Sequence, residues 1–355
     1  MDGLPFSMAD NNTFRVGLTP DWGDRLETTL RPGLKEVFDP VPNLEFEVFE
    51  RHDDMTARRD VIDKYDAIVA AGYYFPKESL NGLKRLKCLA RWGVGYDRID
   101  PAACTANDVF IAITPTMIRR TVSEAQLALI FAVAKNIRRL DKSTREGRWD
   151  KGLKVQSVCI VNRTLGSIGL GNIGGELFRM AQGMHFGRLI AHDPYCSEER
   201  AKELGVELVD FDTVMSESDF VCINTPLTDS TRGLVDRRAL SLMKPSAYLI
   251  NTSRGPVVDE KALTEFLQEE RIAGAGLDVF EKEPPEPDNP LFELDNCVVT
   301  PHKIALTEEG VKYNTLECLN NIMQIYRGEA PLHYVNREVA DKPSMQAKLL
   351  EGKKG

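Results

Sequence analysis

The sequence lacks an excess of positive charge, and this absence limits the partners that the protein can have. Among its 355 residues, 45 Lys and Arg stand against 54 Asp and Glu, which gives a formal net charge of −9. Nucleic-acid-binding domains carry clustered basic surfaces. We therefore predict no nucleic-acid partner, and any anionic ligand has to be bound by a local positive site.

Long apolar segments are also missing. The longest apolar run, LALIFAVA at residues 127–134, is far shorter than the roughly 20 residues that span a bilayer. The first residues, MDGLPFSMADNN, show no basic segment followed by an apolar one. These features predict a cytoplasmic protein with no membrane partner.

Cysteine and histidine are scarce, and their positions argue against a metal centre. The cysteines form no CxxC pair, and several lie in apolar runs, as Cys222 does in FVCINTP. We interpret them as small core residues and predict no disulfide and no metal. Of the five histidines, His302 follows a strand-like run, CVVTP, most clearly, but its position alone does not establish a catalytic role.

Short β-branched runs alternate with longer amphipathic stretches along most of the chain. This alternation predicts an α/β fold with two doubly wound parallel sheets. Between the two sets of strands, residues 121–149 are interpreted as one long helix with Thr121 as N-cap and Glu124 at the third helical position. The last residues, ADKPSMQAKLLEGKKG, show no core pattern and are predicted to be a mobile terminus.

A glycine motif of the GxGxxG type follows the predicted strand TLGSI and opens a helical pattern. Its glycines are Gly169, Gly171 and Gly174, and Asp193 ends the next strand 19 residues after Gly174. This context is typical of dinucleotide binding, with an acidic residue at the adenosine ribose. The segment PYCSEE after Asp193 contains no Arg or Lys, which favours NAD over NADP. The alternative is that Asp193 only caps a turn before Pro194.

Three further strand ends contribute chemically active side chains. They are LINTSRGPVVDE with Arg254, AGAGLDVFEKEPPE with Glu283, and VVTPHK with His302. Because ligands bind beyond the carboxyl ends of parallel strands, we predict that the three residues form a hydride-transfer site. In the alternative interpretation, Arg254 and Glu283 pair with each other and His302 caps a loop.

From about residue 60 to residue 335, the ordered motifs RWGVGYDRID, LGSIGLGNIG, NTPLTDSTRGLVD, INTSRGPVVDE, GLDVFEKEP and TPH appear. With these motifs the chain resembles the D-isomer-specific 2-hydroxyacid dehydrogenase family. The resemblance implies a Rossmann NAD-binding domain at residues 116–304. It would be inserted into a flavodoxin-like substrate domain made of residues 1–115 and 305–355. It also implies NADH as cofactor, a 2-oxo or 2-hydroxy acid as substrate, and a homodimer formed through the NAD-binding domain.

The resemblance further implies individual roles. Arg254 binds the substrate carboxylate and 2-oxo group, His302 is the acid and base, and Glu283 holds the imidazole and favours its protonated form. Backbone amides near Val94 and Gly95 hold the substrate carboxylate. The remaining cofactor positions are Asn172 and Ile173 at the pyrophosphate, Thr225, Thr252 and Ser253 along the cofactor, and Asp278 near the nicotinamide amide, where a turn role is the alternative.

The chain departs from the family pattern around the predicted substrate site. Many family members continue after the histidine with IGSAT, but this chain reads KIALT, with Ile304 and Ala305 in place of a glycine and a serine. Lys303 is interpreted either as a substrate cation or as a surface charge. The aromatic residues Tyr73, Tyr74 and Phe75 either cover the substrate or pack beneath their loop.

Arg119 and Arg120, placed before the predicted N-cap, suggest an anionic or strongly polar group on the substrate beyond its carboxylate. Exposed charges offset by Glu124 are the alternative. The particular 2-hydroxy acid is not identified by the sequence. An NAD-sensing corepressor with the same fold is the competing class of function.

Overall fold

The computed structural model describes residues 13–23, 25–149 and 156–351, and this part of the chain forms twelve β-strands and thirteen α-helices. The strands are β1 (Phe14–Leu18), β2 (Leu44–Val48), β3 (Ala67–Ala70), β4 (Cys88–Arg91), β5 (Phe110–Ala112), β6 (Thr164–Ile168), β7 (Arg188–His192), β8 (Glu207–Leu208), β9 (Phe220–Ile223), β10 (Tyr248–Asn251), β11 (Gly274–Leu277) and β12 (Cys297–Val299). The α-helices are α1 (Arg31–Val37), α2 (Arg59–Ile62), α3 (Lys77–Leu80), α4 (Pro101–Ala106), α5 (Pro115–Ala134), α6 (Ile137–Arg145), α7 (Asn172–Ala181), α8 (Glu198–Glu203), α9 (Phe211–Glu217), α10 (Arg237–Leu242), α11 (Glu260–Gln268), α12 (Glu308–Tyr326) and α13 (Pro343–Glu351). None of the helices in this described part is both long and apolar enough to cross a membrane.

The chain divides into two compact units. Unit 1 consists of Met1–Ile118 together with Glu308–Gly355, and unit 2 is the continuous segment Arg119–Thr307. Unit 1 is therefore made from both ends of the sequence, and helix α5 begins in unit 1 and ends in unit 2. The domain boundaries predicted from the sequence followed residues 115 and 304.

Unit 1 contains a five-stranded sheet with the order β2-β1-β3-β4-β5. All neighbouring strands are parallel, and this order is that of the flavodoxin-like fold. Alternate residues of β3 face opposite cores: Ala67 and Val69 pack with α1 and α12, whereas Ile68 and Ala70 pack on the other face. The sheet is thus covered by apolar layers on both faces, as parallel sheets require.

Unit 2 contains a seven-stranded sheet with the order β12-β11-β10-β9-β6-β7-β8. The strands are again parallel. Counted from β8, the strands follow the Rossmann order 3-2-1-4-5-6 with one added strand. Successive strands are added on one side of β6 up to β8 and on the other side from β9 onward, so the switch point of the fold lies between β6 and β9. The predicted α/β class with two parallel sheets is confirmed. The carboxyl ends of β6, β9, β10, β11 and β12 lie side by side along one edge.

Five cysteines are buried in the described cores, as the sequence interpretation expected. They are Cys88, Cys104, Cys222, Cys297 and Cys318, while Cys159 is exposed and Cys196 is half-buried. Burial raises the pKa of each of the five thiols, and for Cys297 the value is about 12. These side chains are therefore packing groups rather than nucleophiles.

The predicted helix start at Thr121 is wrong. Helix α5 begins at Pro115, and Thr121 is a buried residue inside it. Proline is favoured at the first position of a helix, where its missing N–H costs nothing. The carboxylate of Glu317 accepts hydrogen bonds from the N–H of Thr116, at 3.2 Å, and from its hydroxyl, at 2.6 Å. This N-terminal partner lies about 200 positions away in the sequence, beyond the reach of a local motif.

The prediction of one continuous helix over residues 121–149 is also wrong. Helix α5 ends at Ala134, and α6 starts at Ile137. Between them, Asn136 adopts a left-handed conformation with φ 52°, which asparagine tolerates better than most residues. Asn136 therefore separates the largely apolar helix α5 from the highly charged helix α6.

The tail prediction fails for residues 343–351, which form helix α13. Met345 and Leu349, one helical turn apart, are buried in the apolar core of unit 1. Nζ of Lys348 donates to the carbonyl oxygens of Asn107 and Asp108, each at 3.2 Å. The i, i+4 spacing of Met345 and Leu349 was the available signal. Residues 352–355 lie outside the described part.

Candidate active site

The glycine turn connects β6 to α7, and each of its glycines has a different structural role. Gly169 has φ +98°, and a Cβ there would lie 2.6 Å from the carbonyl oxygen of Asn224. A Cβ on Gly174 would lie 2.5 Å from the carbonyl oxygen of Gly169, whereas a Cβ on Gly171 would meet nothing within 4 Å. The first and third glycines thus permit the turn and the packing, and the second leaves open space before the helix.

That open space fits the pyrophosphate of a dinucleotide. Gly171 is the N-cap of α7, and Asn172 and Ile173 are its first two helical residues. The first N–H groups of a helix have no partner within the helix, and they point toward its N-terminal end together with the positive end of the helix dipole. Backbone amides arranged in this way are suited to a phosphate group.

Asp193 follows β7 and connects two parts of this site. Its Oδ2 accepts a hydrogen bond from the N–H of Leu170 at 2.8 Å, and its Oδ1 accepts one from the N–H of Tyr195 at 2.9 Å. The second contact is the turn role that the sequence left open. The first contact fixes the carboxylate against the glycine turn, where Rossmann folds place the acidic residue that binds ribose.

The paired residues of the site are His302 and Glu283. Nδ1 of His302 lies 2.8 Å from Oε2 of Glu283, while Oε1 of Glu283 accepts the N–H of Phe280 at 3.1 Å. Because a carboxylate only accepts, Nδ1 carries the proton in this pair and Nε2 remains for proton exchange. The imidazole is partly exposed, with 45% of its side-chain surface accessible.

The electrostatics of Glu283 keep it ionised. Partial burial acts to raise its pKa, but the hydrogen bond and charge of His302, the N–H of Phe280 and the positive charge of Arg254 outweigh burial. The pKa of Glu283 is therefore below its ordinary value. A carboxylate that stays charged can both orient the ring and stabilise its cationic form.

His302 has a left-handed backbone, with φ 56°, and Asp278 organises the loop around it. Asp278 is buried, and its Oδ1 accepts the hydroxyl of Thr300 at 2.6 Å and the N–H of Lys303 at 3.1 Å. A further N–H, from Ile304, reaches the same oxygen at 3.3 Å. The turn role considered for Asp278 is thus present in the structure.

Arg254 follows β10 and is placed by its neighbours. Oδ1 of the buried Asn251 accepts the N–H and the hydroxyl of Ser253, both at 3.0 Å, and its Nδ2 donates to the carbonyl oxygen of Arg254 at 3.1 Å. A Cβ on Gly255 would lie 1.9 Å from backbone atoms of Phe280. Glycine at this position lets the Arg254 loop pack directly against the segment that leads to Glu283.

A partly buried polar network supports the same sheet edge and was not predicted from the sequence. Nε2 of Gln126 donates to Oδ1 of Asn224 at 2.7 Å and to Oγ1 of Thr252 at 2.9 Å. Nδ2 of Asn224 in turn donates to the hydroxyl of Ser167 at 2.9 Å. Gln126 is buried and directly precedes the apolar run of α5 at residues 127–134, so only its polarity beside an apolar stretch could have indicated this role.

The remaining predicted residues belong to both units. Val94 and Gly95 follow β4 in unit 1, where the carbonyl oxygen of Gly95 accepts Nε of Arg91 at 2.9 Å. Of the aromatic residues, Tyr73 and Phe75 are core residues of unit 1, while Tyr74 is 46% exposed. Packing beneath the loop is therefore observed for two of the three residues.

The predicted cations Arg120 and Lys303 differ in their surroundings. Arg120 forms ion pairs with Glu124 at 2.7 Å and with Glu176 at 3.4 Å, and it lies within α5 rather than before it. The argument that Arg119 and Arg120 face an uncompensated helix N-terminus is therefore wrong. Lys303 is exposed next to His302.

One basic residue at the glycine turn was also missed. Arg200, in α8, directs Nη2 to within 3.5 Å of the carbonyl oxygen of Gly171. The prediction of NAD over NADP was based on the segment PYCSEE, which ends at Glu199, one residue before Arg200.

Comparisons with known proteins identify the family of the chain. The family model described as D-isomer specific 2-hydroxyacid dehydrogenase, NAD binding domain, matches residues 127–303. A glyoxylate reductase from Korarchaeum cryptofilum is 39% identical over 74% of this chain and 80% of its own length. A D-3-phosphoglycerate dehydrogenase from Archaeoglobus fulgidus is 39% identical over 70% of this chain, but the match spans only 47% of that protein.

A solved structure of a glyoxylate reductase from Paecilomyes thermophila superposes with a TM-score of 0.79 at 26% identity, covering 92% of this chain and 99% of that one. The chain belongs to the D-isomer specific 2-hydroxyacid dehydrogenase family, whose members are oxidoreductases acting on the CH–OH group of hydroxy acids. Unit 2 carries its NAD-binding domain.

Proposed function

We propose that this chain reduces 2-oxo acids to D-2-hydroxy acids with NADH, and catalyses the reverse oxidation, with His302 as acid and base. The observation that carries the proposal is the 2.8 Å contact between His302 and Glu283, beyond the strand ends of the sheet that also bears the glycine turn. Hydride addition to a carbonyl creates an alkoxide, which needs a positioned proton donor.

NADH supplies the hydride when it is bound, and the side chains of unit 2 direct the proton and the charge. Nε2 of His302 gives its proton to the substrate oxygen in reduction and takes it back in oxidation. Glu283 holds the ring and stabilises the imidazolium. Arg254 offers parallel N–H donors to the carboxylate and the 2-oxo group, which stabilises negative charge as it develops on the oxygen.

For the cofactor, we propose that NADH is preferred to NADPH. Asp193 is placed to accept hydrogen bonds from the ribose hydroxyls and to repel a 2′-phosphate. The other residues proposed to contact the cofactor are Gly169, Gly171, Asn172, Ile173 and Gly174 at the pyrophosphate, and Thr225, Thr252, Ser253 and Asp278 toward the nicotinamide.

For the substrate, we propose that backbone amides near Val94 and Gly95 hold the carboxylate, with Tyr74 as a further contact. Unit 1 would then be the substrate domain and unit 2 the cofactor domain. The relatives named glyoxylate reductase and D-3-phosphoglycerate dehydrogenase are both 39% identical to this chain, so we propose glyoxylate as the first substrate to test and a phosphorylated 2-oxo acid as the second.

We also propose a homodimer formed through unit 2. Apolar side chains are exposed in and after α5 and α6: Phe131 at 37%, Ile137 at 53%, Leu140 at 41% and Trp149 at 72%. Contiguous exposed apolar patches are typical of association surfaces, and we propose that these four side chains form one. The cytoplasmic location remains a prediction from the sequence.

The proposal is tested by incubating the full chain with NADH and a panel of 2-oxo acids, glyoxylate first, while NADH absorbance is followed. Multiple turnovers with at least one acid, absent from His302→Ala, are expected. Tight NADH binding without turnover of any acid would instead support the NAD-sensing binding protein.

A further inference from the structure

A chain of polar side chains connects the glycine turn of unit 2 to the loop that follows β10. The hydroxyl of Ser167 donates to the carbonyl oxygen of Gly169 at 2.7 Å, and Nδ2 of Asn224 lies 2.9 Å from that hydroxyl. Nε2 of Gln126 lies 2.7 Å from Oδ1 of Asn224 and 2.9 Å from Oγ1 of Thr252. One amide group on helix α5 therefore contacts both the branch that leads to the turn and the loop that leads to the substrate arginine.

The carbonyl group of Gly169 fixes the direction of the hydrogen bonds in this chain. A carbonyl oxygen only accepts, so the hydroxyl hydrogen of Ser167 points to it. The same hydroxyl must then accept from Nδ2 of Asn224, which turns the amide oxygen of Asn224 toward Gln126. Gln126 is therefore required to donate, and its Nε2 hydrogens go to Asn224 and to Thr252. Neither an acceptor nor an apolar side chain at this position could make both contacts.

The position of the Gln126 amide is not explained by stability alone. Gln126 is fully buried, and its Oε1 forms no hydrogen bond with any of the residues that the structure describes. A buried acceptor without a partner costs free energy that an apolar side chain would avoid. Asn224 and Thr252 are only half-buried, so water could bond to them in place of the amide. The amide is therefore better explained by what its donors hold in place.

Each contact of Gln126 leads to a segment that the proposed function uses. Thr252 lies two residues before Arg254, whose carbonyl oxygen accepts Nδ2 of Asn251 at 3.1 Å. On the other branch, Gly169 belongs to the turn that is suited to a pyrophosphate. Because glycine has more conformational freedom than other residues, a phosphate bound at the turn restricts Gly169 and with it the hydrogen bonds that end there.

We propose that Gln126 is a positioning residue that couples the dinucleotide site to the Arg254 loop, so that a phosphate bound at the glycine turn rigidifies this loop through the Gln126 amide. Chains of hydrogen bonds strengthen one another in a low-dielectric interior, and binding that restricts one part of a protein can reduce the motion of another. A phosphate at the turn thus orders Arg254 without touching it. The inference rests on the dinucleotide site and the substrate arginine of the proposed function and assigns the connection between them.

The test uses ADP, which carries the adenosine and pyrophosphate portions of the cofactor but lacks the nicotinamide and its ribose. An effect of ADP on the Arg254 loop is therefore transmitted through the protein. Hydrogen–deuterium exchange of backbone amides is followed by mass spectrometry on the full chain, in peptides that cover residues 166–175 and 249–257. In wild type, saturating ADP is expected to slow exchange in both peptides, by about threefold or more in the loop peptide.

Gln126→Met keeps the length of the side chain but removes both donors. ADP is then expected to protect the turn peptide as in wild type and to change exchange in the loop peptide by less than about 1.5-fold. Thr252→Val, which removes only the loop contact, should give the same result, whereas Thr252→Ser, which keeps the hydroxyl, should retain the ADP effect. Gln268→Met, at an exposed position of α11, is the control for the substitution itself and should respond to ADP as wild type does.

A purely structural role of Gln126 would raise exchange of the loop with and without ADP and would leave the ratio of the two rates unchanged. That result in Gln126→Met, or in Thr252→Val if the first variant does not fold, would overturn the proposal. A wild-type loop that ADP does not protect would overturn it as well. If ADP protects neither peptide in wild type, the dinucleotide site of the proposed function is itself contradicted, and protection of the turn peptide distinguishes that failure from a missing connection.

Discussion

Nδ1 of His302 lies 2.8 Å from Oε2 of Glu283, although the two residues are 19 positions apart in the chain. The contact forms because β11 and β12 are parallel neighbours and their carboxyl ends open on the same edge of the sheet. Asp278 fixes the His302 loop, and Gly255 allows close packing next to the Glu283 segment. The imidazole is thereby held by backbone geometry as well as by a charged partner.

Removal of the imidazole tests the central assignment. His302→Ala is expected to lower kcat by about 10²- to 10⁴-fold, because a positioned proton donor contributes on that scale. The dissociation constant of NADH, followed by fluorescence titration, is expected to stay within about twofold. Near-normal turnover in the variant would show that another group provides the proton.

Neutralising Glu283 tests its electrostatic role. The pKa of Glu283 is lowered in the folded protein, so the carboxylate stays charged at neutral pH and loses its effect only when the pH falls through that lowered value. In Glu283→Gln the imidazolium has no anionic partner at any pH. The alkaline limit of kcat/KM for 2-oxo acid reduction is therefore expected to move to lower pH.

The matched control for Glu283→Gln is Glu281→Gln, which removes a nearby exposed carboxylate that forms no hydrogen bond with the imidazole in the described part of the chain. Its pH profile is expected to coincide with that of the wild type. If the pH profile of Glu283→Gln also coincides with that of the wild type, Glu283 has only a structural role.

The parts of the fold that follow local rules could be predicted from the sequence. The strands were recognisable because buried parallel strands are short apolar runs. The glycine turn was recognisable because its motif requires glycine at Gly169 and Gly174, where a Cβ would clash with backbone atoms. The order Arg254, Glu283 and His302 along successive strand ends predicted that these residues lie at one edge of the sheet, but the pairing of the last two was implied only by the family resemblance.

The parts that depend on distant residues could not be predicted. Helix α5 starts at Pro115 because Glu317, far along the chain, binds Thr116. The network of Gln126 joins the ends of β9 and β10, and Arg200 reaches the glycine turn from another helix. Each of these contacts is created by tertiary packing, and no local pattern encodes its partner.

Asp193 is predicted to determine the preference for NADH. In wild type, kcat/KM is expected to be higher with NADH than with NADPH, and Asp193→Ala should narrow the ratio by about tenfold because the repulsion of a 2′-phosphate is removed. Asp193→Asn removes the negative charge but keeps an oxygen that accepts the N–H of Tyr195. This variant therefore tests the effect of the charge while the turn is preserved. A clear NADPH preference in the wild type would contradict the assignment.

The C-terminal helix is predicted to contribute to the stability of unit 1. Met345 is fully buried in its core, so Met345→Ala should lower the free energy of unfolding by about 2–5 kcal/mol. Gln346→Ala, at an exposed position of the same helix, should change it by less than about 0.5 kcal/mol. Urea denaturation of both variants checks this, and equal small changes would show that α13 adds little to the core.

Lys303 is predicted to determine whether substrates with a second anionic group are favoured. Its backbone N–H is bound to Asp278, which holds the residue beside His302 while its side chain remains exposed. Lys303→Ala should therefore reduce kcat/KM by about tenfold for a 2-oxo acid that carries a phosphate, and by less than about twofold for glyoxylate. Arg120→Ala is the control, because Arg120 is already paired with Glu124 and Glu176, and its substrate ranking should match the wild type. If Lys303→Ala changes kcat/KM by the same factor for both acids, Lys303 is a surface charge and substrate choice depends on other residues.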